Sequence, residues 1–208
     1  MATTIASTRP TEIQDPPLAR FLFADTRSAL LWLALRVFLG YQWVTAGWHK
    51  VEDPAWMATG DALKAFLVRA AAIPEAPARA AITFDWYRSF LQYLIDVQAY
   101  TWFAKVVAVG ETAIGIALIL GLFTGIAAFF GGFMNWNFMM AGTASTNPLL
   151  FAIAVALILA WKVAGYYGLD RYVLPALGTP WQAGTLARAR PAPAGGAAAP
   201  GGAPAHVR

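Results

Sequence analysis

The chain has 208 residues, of which 59% are hydrophobic and only 12% are charged, and its mean hydropathy is +0.53. Soluble domains carry about 25% charged residues, so this composition excludes a soluble enzyme and predicts a membrane protein in contact with membrane lipids. The net charge is +4, and the scattered basic residues predict no nucleic-acid surface. Because cysteine is absent and His49 and His206 are the only histidines, the sequence predicts no metal, haem or iron–sulfur site.

Four apolar runs follow a polar N-terminal segment, residues 1–28. The runs cover residues 29–48, 101–122, 123–141 and 148–167. Each has close to the ~20 residues that a helix needs to cross a bilayer. We therefore predict an all-α membrane domain, residues 29–178, with a four-transmembrane-helix bundle. The sequence from residue 179 to residue 208 is rich in proline, alanine and glycine, which predicts a disordered tail.

The segment between the first two runs, residues 49–100, is too polar to span a bilayer. It contains two amphipathic stretches, residues 55–72 and 84–100, which IPEAP (73–77) separates. One face of the second stretch carries Phe84, Tyr87, Leu91, Leu94 and Ile95. These features predict a helical cap that lies in the plane of the membrane interface.

The distribution of basic residues bears on the orientation of the chain. Seven arginines lie in the two terminal segments, whereas residues 49–100 carry five basic residues. An excess of basic residues is typical of the cytoplasmic side. We therefore predict a multi-pass protein of the cell membrane, with cytoplasmic termini and an extracytoplasmic cap.

The first run carries an unusual polar stripe. Arg36, Gly40, Trp43, Gly47 and Lys50 follow one another at helical spacing, so they share one face. Glycine beside a large aromatic side chain leaves room either for a neighbouring helix or for a flat ligand, and close helix packing is the favoured alternative. The alternative for Lys50 is that its long side chain simply extends to the membrane surface.

Other polar groups lie near the predicted outer ends of the runs. They are Trp48, His49, Asn135, Asn137 and, in GTASTNP (142–148), Thr143, Ser145 and Asn147. If the termini are cytoplasmic, these groups, Lys50 and the cap meet on the outer side. Their convergence with Trp43 favours a binding pocket that residues 84–100 cover. The alternative is that GTASTNP is only a turn, with Asn147 capping the fourth helix.

Arg36 and Glu111 are the two ionisable residues that lie deepest within the predicted spans. Arg36 lies ~10 Å from the inner end of its helix, and Glu111 lies ~13 Å from the same side. An unpaired charge at the bilayer centre costs about 2.5–3.5 kcal/mol on insertion scales. We therefore predict that these two residues form an ion pair in the bundle, with either a structural role or a role in proton transfer.

Three stretches resemble the DoxX/DoxD family of small bacterial membrane proteins. They are RVFLGYQWVTAGWHKVEDPAW (36–56), VGETAIGIALILGLFTGIAAFFG (109–131) and NFMMAGTASTNPLLF (137–151). The resemblance extends over about residues 29–175. It implies a four-helix membrane protein, and DoxD-type members are the membrane subunit of thiosulfate:quinone oxidoreductase, which passes electrons from thiosulfate to quinones.

The resemblance makes a membrane subunit of a quinone-linked oxidoreductase the leading hypothesis, with quinone as electron acceptor and a partner subunit. Arg36 and Glu111 would then be the catalytic candidates, with Trp43 stacking on the quinone ring. An anionic donor such as thiosulfate would be attracted to Lys50 and His49 and to the hydroxyls of Thr143 and Ser145. The alternative is a non-enzymatic scaffold or a carrier of a small lipophilic molecule, which purification with or without bound quinone would distinguish.

Overall fold

Residues 15–179 are described by a computed structural model, and in this part of the chain α-helices joined by turns are present and β-strands are absent. Helix α1, Pro17–Ala24, falls within the segment predicted to be merely polar. The first 14 residues and the predicted disordered tail beyond residue 179 lie outside the described residues.

Helix α2, Ala29–Glu52, is longer than the predicted first span. It ends where Asp53 precedes Pro54, because a residue before proline disfavours helical backbone angles. The additional turn places His49 and Lys50 on the helix itself and not in a loop. At the opposite end, α1 covers the start of α2, since the Trp32 indole donates to the Leu22 carbonyl at 2.7 Å.

The cap consists of three helices. They are α3, Pro54–Met57, α4, Asp61–Ala71, and α5, Asp85–Asp96. The predicted buried face of α5 is confirmed for Tyr87, Leu91 and Leu94, whereas Phe84 is 52% exposed. The three buried side chains of α5 form a hydrophobic core with Leu63 of α4 and with the beginning of the long helix that follows, residues 100–120.

The remaining predicted spans are also helical. Helices α6, Tyr100–Leu120, and α7, Thr124–Met140, form a hairpin that turns at Gly121, whose φ of +67° suits glycine. The predicted fourth span is wrong as a single helix, because α8, Asn147–Leu159, is interrupted at Ala160 before α9, Trp161–Ala164. Helix α10, Asp170–Leu177, follows.

Two described helical segments, Thr26–Glu52 and Tyr100–Leu120, are long and apolar enough to cross a membrane. They pack closely through glycine: a Cβ at Gly40 would lie 2.9 Å from the Gly115 carbonyl oxygen. Close approach through small residues is how helices associate in lipid. The packing alternative for the glycines of α2 is therefore confirmed, since a side chain at Gly47 would also collide with Thr112.

Candidate functional site

A buried ion pair joins the first and second long helices. The Lys50 ammonium lies 2.6 Å from the Glu111 carboxylate, whose side chain is 1% exposed, while that of Lys50 is 21% exposed. Lys50 also donates to the Ala46 carbonyl at 3.3 Å and lies 5.2 Å from the centre of the Trp56 ring. The ammonium therefore links α2, α6 and the cap at one point.

The glycine at position 47 makes this pair possible. A Cβ there would lie 3.0 Å from the Glu111 Cβ, so α2 and α6 are in contact at this level. Lys50 is one helical turn further along α2, and its flexible stem bends back to reach the carboxylate.

The predicted ion pair between Arg36 and Glu111 is wrong. The Arg36 guanidinium lies at the other end of α6, next to Gly121, and donates to the Tyr167 carbonyl at 3.1 Å. Since Gly47 is level with Glu111, the two charges are separated by the length of α2 from residue 36 to residue 47, about 16 Å at ~1.5 Å per residue.

The physical reason is the register of the two helices. The prediction placed the start of α2 level with the end of α6, but the first two turns of α2 project beyond that end and pack against α1. Arg36, and not Ala29, is therefore level with the C-terminus of α6. There the guanidinium also meets the negative end of the helix dipole.

Asp170 is a buried acidic residue that the sequence analysis missed. Its carboxylate accepts from the backbone N–H of Phe123 at 2.6 Å and of Thr124 at 2.9 Å, so it caps the start of α7. Its backbone N–H donates to the Gly121 carbonyl at 2.8 Å, and Gly121 is also in contact with the Arg36 guanidinium. The sequence signal that could have identified Asp170 is its position shortly after the fourth apolar run, residues 148–167.

An apolar cavity of about 540 Å³ lies between the cap and the α6–α7 hairpin. Its wall is formed by α4, α5, α6 and α7 through the following side chains: Leu63, Phe66, Leu67, Tyr87, Phe90, Leu91, Leu94, Phe103, Val106, Val107, Gly110, Ala113, Ile114, Phe130, Phe133, Met134, Asn137 and Phe138. Tyr87 and Asn137 are the lining residues with polar side-chain atoms. The cavity size is in the range of small-molecule sites.

The Tyr87 hydroxyl and Asn137 are bonded to each other. The hydroxyl donates to the Asn137 backbone carbonyl at 2.9 Å and lies 3.2 Å from its Oδ1. The Asn137 amide nitrogen donates to the Phe133 carbonyl. Burial raises the pKa of Tyr87, which lies in the cap, to about 12.

Trp43, Lys50 and GTASTNP (142–148), which were predicted to border one pocket, do not line this cavity. Helix α5 does cover the cavity, but among the predicted site residues only Asn137 lines it. Trp43 and Asn135 are instead buried in the bundle core, at 3% and 0% exposure. The cavity wall was missed because its residues are ordinary apolar side chains without a sequence signal.

The other predicted binding residues lie at the surface or in the turn. Trp48, His49 and Ser145 are exposed, and Thr143 and Asn147 are half-buried. Asn147 does not cap α8, because its amide donates to the Thr143 carbonyl at 3.0 Å. The turn contacts the cap, where a Cβ at Gly142 would lie 2.7 Å from that of Ala81.

A sequence model of the DoxX family matches residues 31–144, just over half of the chain. The chain belongs to the DoxX family. Significant matches are absent among the curated proteins and among the solved structures. The family and the long apolar helices together make it a small membrane protein.

The DoxX match covers α2 to α7, so it includes both the Lys50–Glu111 ion pair and the cavity beneath the cap. The groups that surround Arg36 extend beyond it, since Tyr167 and Asp170 follow the matched region. The DoxX region is therefore the part of the chain that contains the candidate site.

Proposed function

We propose that this DoxX protein binds a quinone in the cavity beneath the cap and acts as the membrane subunit of a quinone-linked oxidoreductase. The observation that carries the proposal is the apolar cavity of about 540 Å³, with one hydroxyl and one amide on its wall. A quinone needs an apolar slot for its ring and tail and a donor for a carbonyl oxygen. The cavity offers both.

The membrane arrangement is part of the proposal. We assign four spans, α2, α6, α7 and the broken helix α8–α9, in the cell membrane. Helix α7 has 17 residues, about 25 Å at ~1.5 Å per residue, which approaches the ~30 Å hydrocarbon thickness. We place the termini in the cytoplasm and the cap outside, because the two terminal segments together carry seven arginines and residues 49–100 carry five basic residues.

We assign quinone recognition to Tyr87 and Asn137. The Tyr87 hydroxyl has one proton and points at two oxygens of Asn137, so it can turn to donate to a quinone carbonyl oxygen. The aromatic rings of Phe90 and Phe133 on the cavity wall would then contact the quinone ring.

Electrons would enter from a partner subunit, with thiosulfate as a donor that the family resemblance suggests. Lys50, predicted to attract an anionic donor, is already ion-paired with Glu111, so little net charge is left to attract thiosulfate. We therefore assign the oxidation of the donor to the partner. A quinone-reduction assay with thiosulfate, run on the purified chain with and without co-purifying proteins, tests this division.

A carrier of a lipophilic molecule is the second candidate. It is favoured by the wall of the cavity, which is apolar apart from Tyr87 and Asn137. The two functions differ in what the site recognises. A carrier would bind an alkyl chain without a quinone head as tightly as the quinone, and it would not depend on the Tyr87 hydroxyl.

The test is a binding titration with a short-chain benzoquinone and with its alkyl chain alone. Gly110→Phe should block the cavity, because Gly110 lines it and faces open space. Val109→Phe is the matched control, since Val109 is 52% exposed on the same helix and is not part of the cavity wall. Equal quinone affinity in both variants would contradict the proposed site, and equal binding of the alkyl chain would favour the carrier.

A further inference from the structure

Several buried polar atoms of the bundle have no hydrogen-bond partner within residues 15–179, including atoms of Arg36 and Thr124 near the turn at Gly121. Three such residues lie closer to the cap, with the Trp43 Nε1, the Glu111 Oε1 and both amide atoms of Asn135 unpartnered. The residues are 3%, 1% and 0% exposed, so bulk water does not reach them. A buried polar atom without a partner is unfavourable and rare.

The register of the helices brings these atoms to neighbouring levels. A Cβ at Gly131 would lie 2.9 Å from the Trp43 Nε1 and 3.3 Å from the Ile114 side chain, so α2, α6 and α7 meet there. Glu111 is one turn from Ile114 on α6, and Asn135 is one turn from Gly131 on α7. Because α6 and α7 are antiparallel, both turns lead in the same direction, towards the cap.

The three residues have complementary hydrogen-bonding capacity. The indole N–H and the amide NH₂ can only donate, whereas the carboxylate oxygen and the amide oxygen accept. A water molecule can accept from the first two and donate to the others. Buried water typically makes about three hydrogen bonds to such groups.

We propose that Trp43, Glu111 and Asn135 form a binding site for buried water in the bundle core. Lys50 is its entrance: the ammonium contacts Glu111 Oε2 at 2.6 Å while its side chain is 21% exposed. The water, the carboxylate and the ammonium then form a continuous polar path from the cap side to the middle of the bundle. Such a path is what proton exchange with a core carboxylate requires.

Hydroxyl-radical footprinting by X-ray radiolysis tests the site in the full chain, because radicals form from water close to the modified side chain. Trp32 is the matched control: it is 4% exposed, but its indole nitrogen is bonded to Leu22. We expect Trp43 to be oxidised several-fold faster than Trp32 in the native protein. Equal protection of the two indoles would overturn the proposal, whether or not the chain binds a quinone.

Two variants locate the water. Asn135→Leu should reduce the oxidation of Trp43 towards the rate of Trp32. Asn137→Leu, two residues along the same helix and facing the cavity, should leave it unchanged. Trp32 reports on folding in each variant, because it would become oxidised if the bundle opened. If Asn135→Leu does not fold, the comparison of the two indoles in the native chain decides. Unchanged oxidation of Trp43 in a folded Asn135→Leu variant would contradict the site.

Discussion

Removal of one partner of the Lys50–Glu111 ion pair should give an asymmetric loss of stability. Lys50→Met leaves the Glu111 carboxylate uncompensated at 1% exposure. Breaking a buried pair in this way costs about 3–5 kcal/mol, which for a chain of this size corresponds to a fall in Tm of about 6–20 °C. Glu111→Leu is milder, because the Lys50 ammonium is already 21% exposed and can turn to the surface.

The double-mutant cycle makes this argument quantitative. We expect Glu111→Leu to cost about 1.5–3 kcal/mol for the lost charged hydrogen bond, and the double variant to cost no more than that. Thermal unfolding in detergent is the assay. The control is Asp85→Ala, which removes a carboxylate that is 90% exposed from its pair with the 19% exposed Arg88, and the loss should stay below about 1 kcal/mol. Additive losses, or a larger loss for Glu111→Leu than for Lys50→Met, would refute the reasoning.

Three further predictions can be tested by the same unfolding assay. Asp170→Ala removes the acceptor for two backbone N–H groups at the start of α7 and should cost about 1–2 kcal/mol, whereas no loss would contradict the cap. Gly47→Ala should destabilise the chain, because the new Cβ collides with Thr112. Gly110→Ala should stabilise it by about 0.5–1 kcal/mol, because its Cβ meets nothing within 4 Å. A more stable Gly47→Ala than Gly110→Ala would contradict the helix register. The pKa of Tyr87 is about 12 in the folded chain and 10.0 in an unfolded one, so the folded state retains the proton longer and stability should fall as the pH rises from 10 to 12. That fall should be smaller in Tyr87→Phe, and an unchanged pH profile would contradict the burial of the hydroxyl.

Hydropathy alone was sufficient for the positions of the long helices. The apolar runs predicted α2, α6 and α7 to within a few residues, since length and hydrophobicity determine where such helices begin and end. The break at Ala160 was not visible, because α8 and α9 are both apolar and the interruption depends on tertiary packing.

Pairing across helices could not be predicted in the same way. Arg36 and Glu111 were matched by depth, and this failed because the depth of each charge depends on how far α2 extends beyond α6. The contact of Gly47 with Thr112 sets that register, and nothing in the one-dimensional pattern of either helix reveals it. The partner that the structure shows, Lys50, was assigned to an outer pocket for an anionic donor, with a side chain extended to the membrane surface as the alternative.

The cavity escaped prediction for a different reason. Polar residues such as Thr143 and Ser145 attracted attention because they are rare in this sequence, but the wall is formed by side chains such as Phe90 and Leu94. Apolar residues of this kind are equally suited to a packed core. The space between them exists only because the cap and the α6–α7 hairpin meet incompletely.

Photo-crosslinking with an azidoquinone in native membranes tests the central claim most directly. The account predicts adducts on the cavity wall, at Tyr87, Met134 or their neighbours, that an excess of unmodified quinone removes and that Gly110→Phe abolishes. Adducts confined to the exposed surface of the bundle, such as Phe38 or Phe129, or labelling that unmodified quinone does not reduce, would contradict the assignment of this cavity as a quinone site.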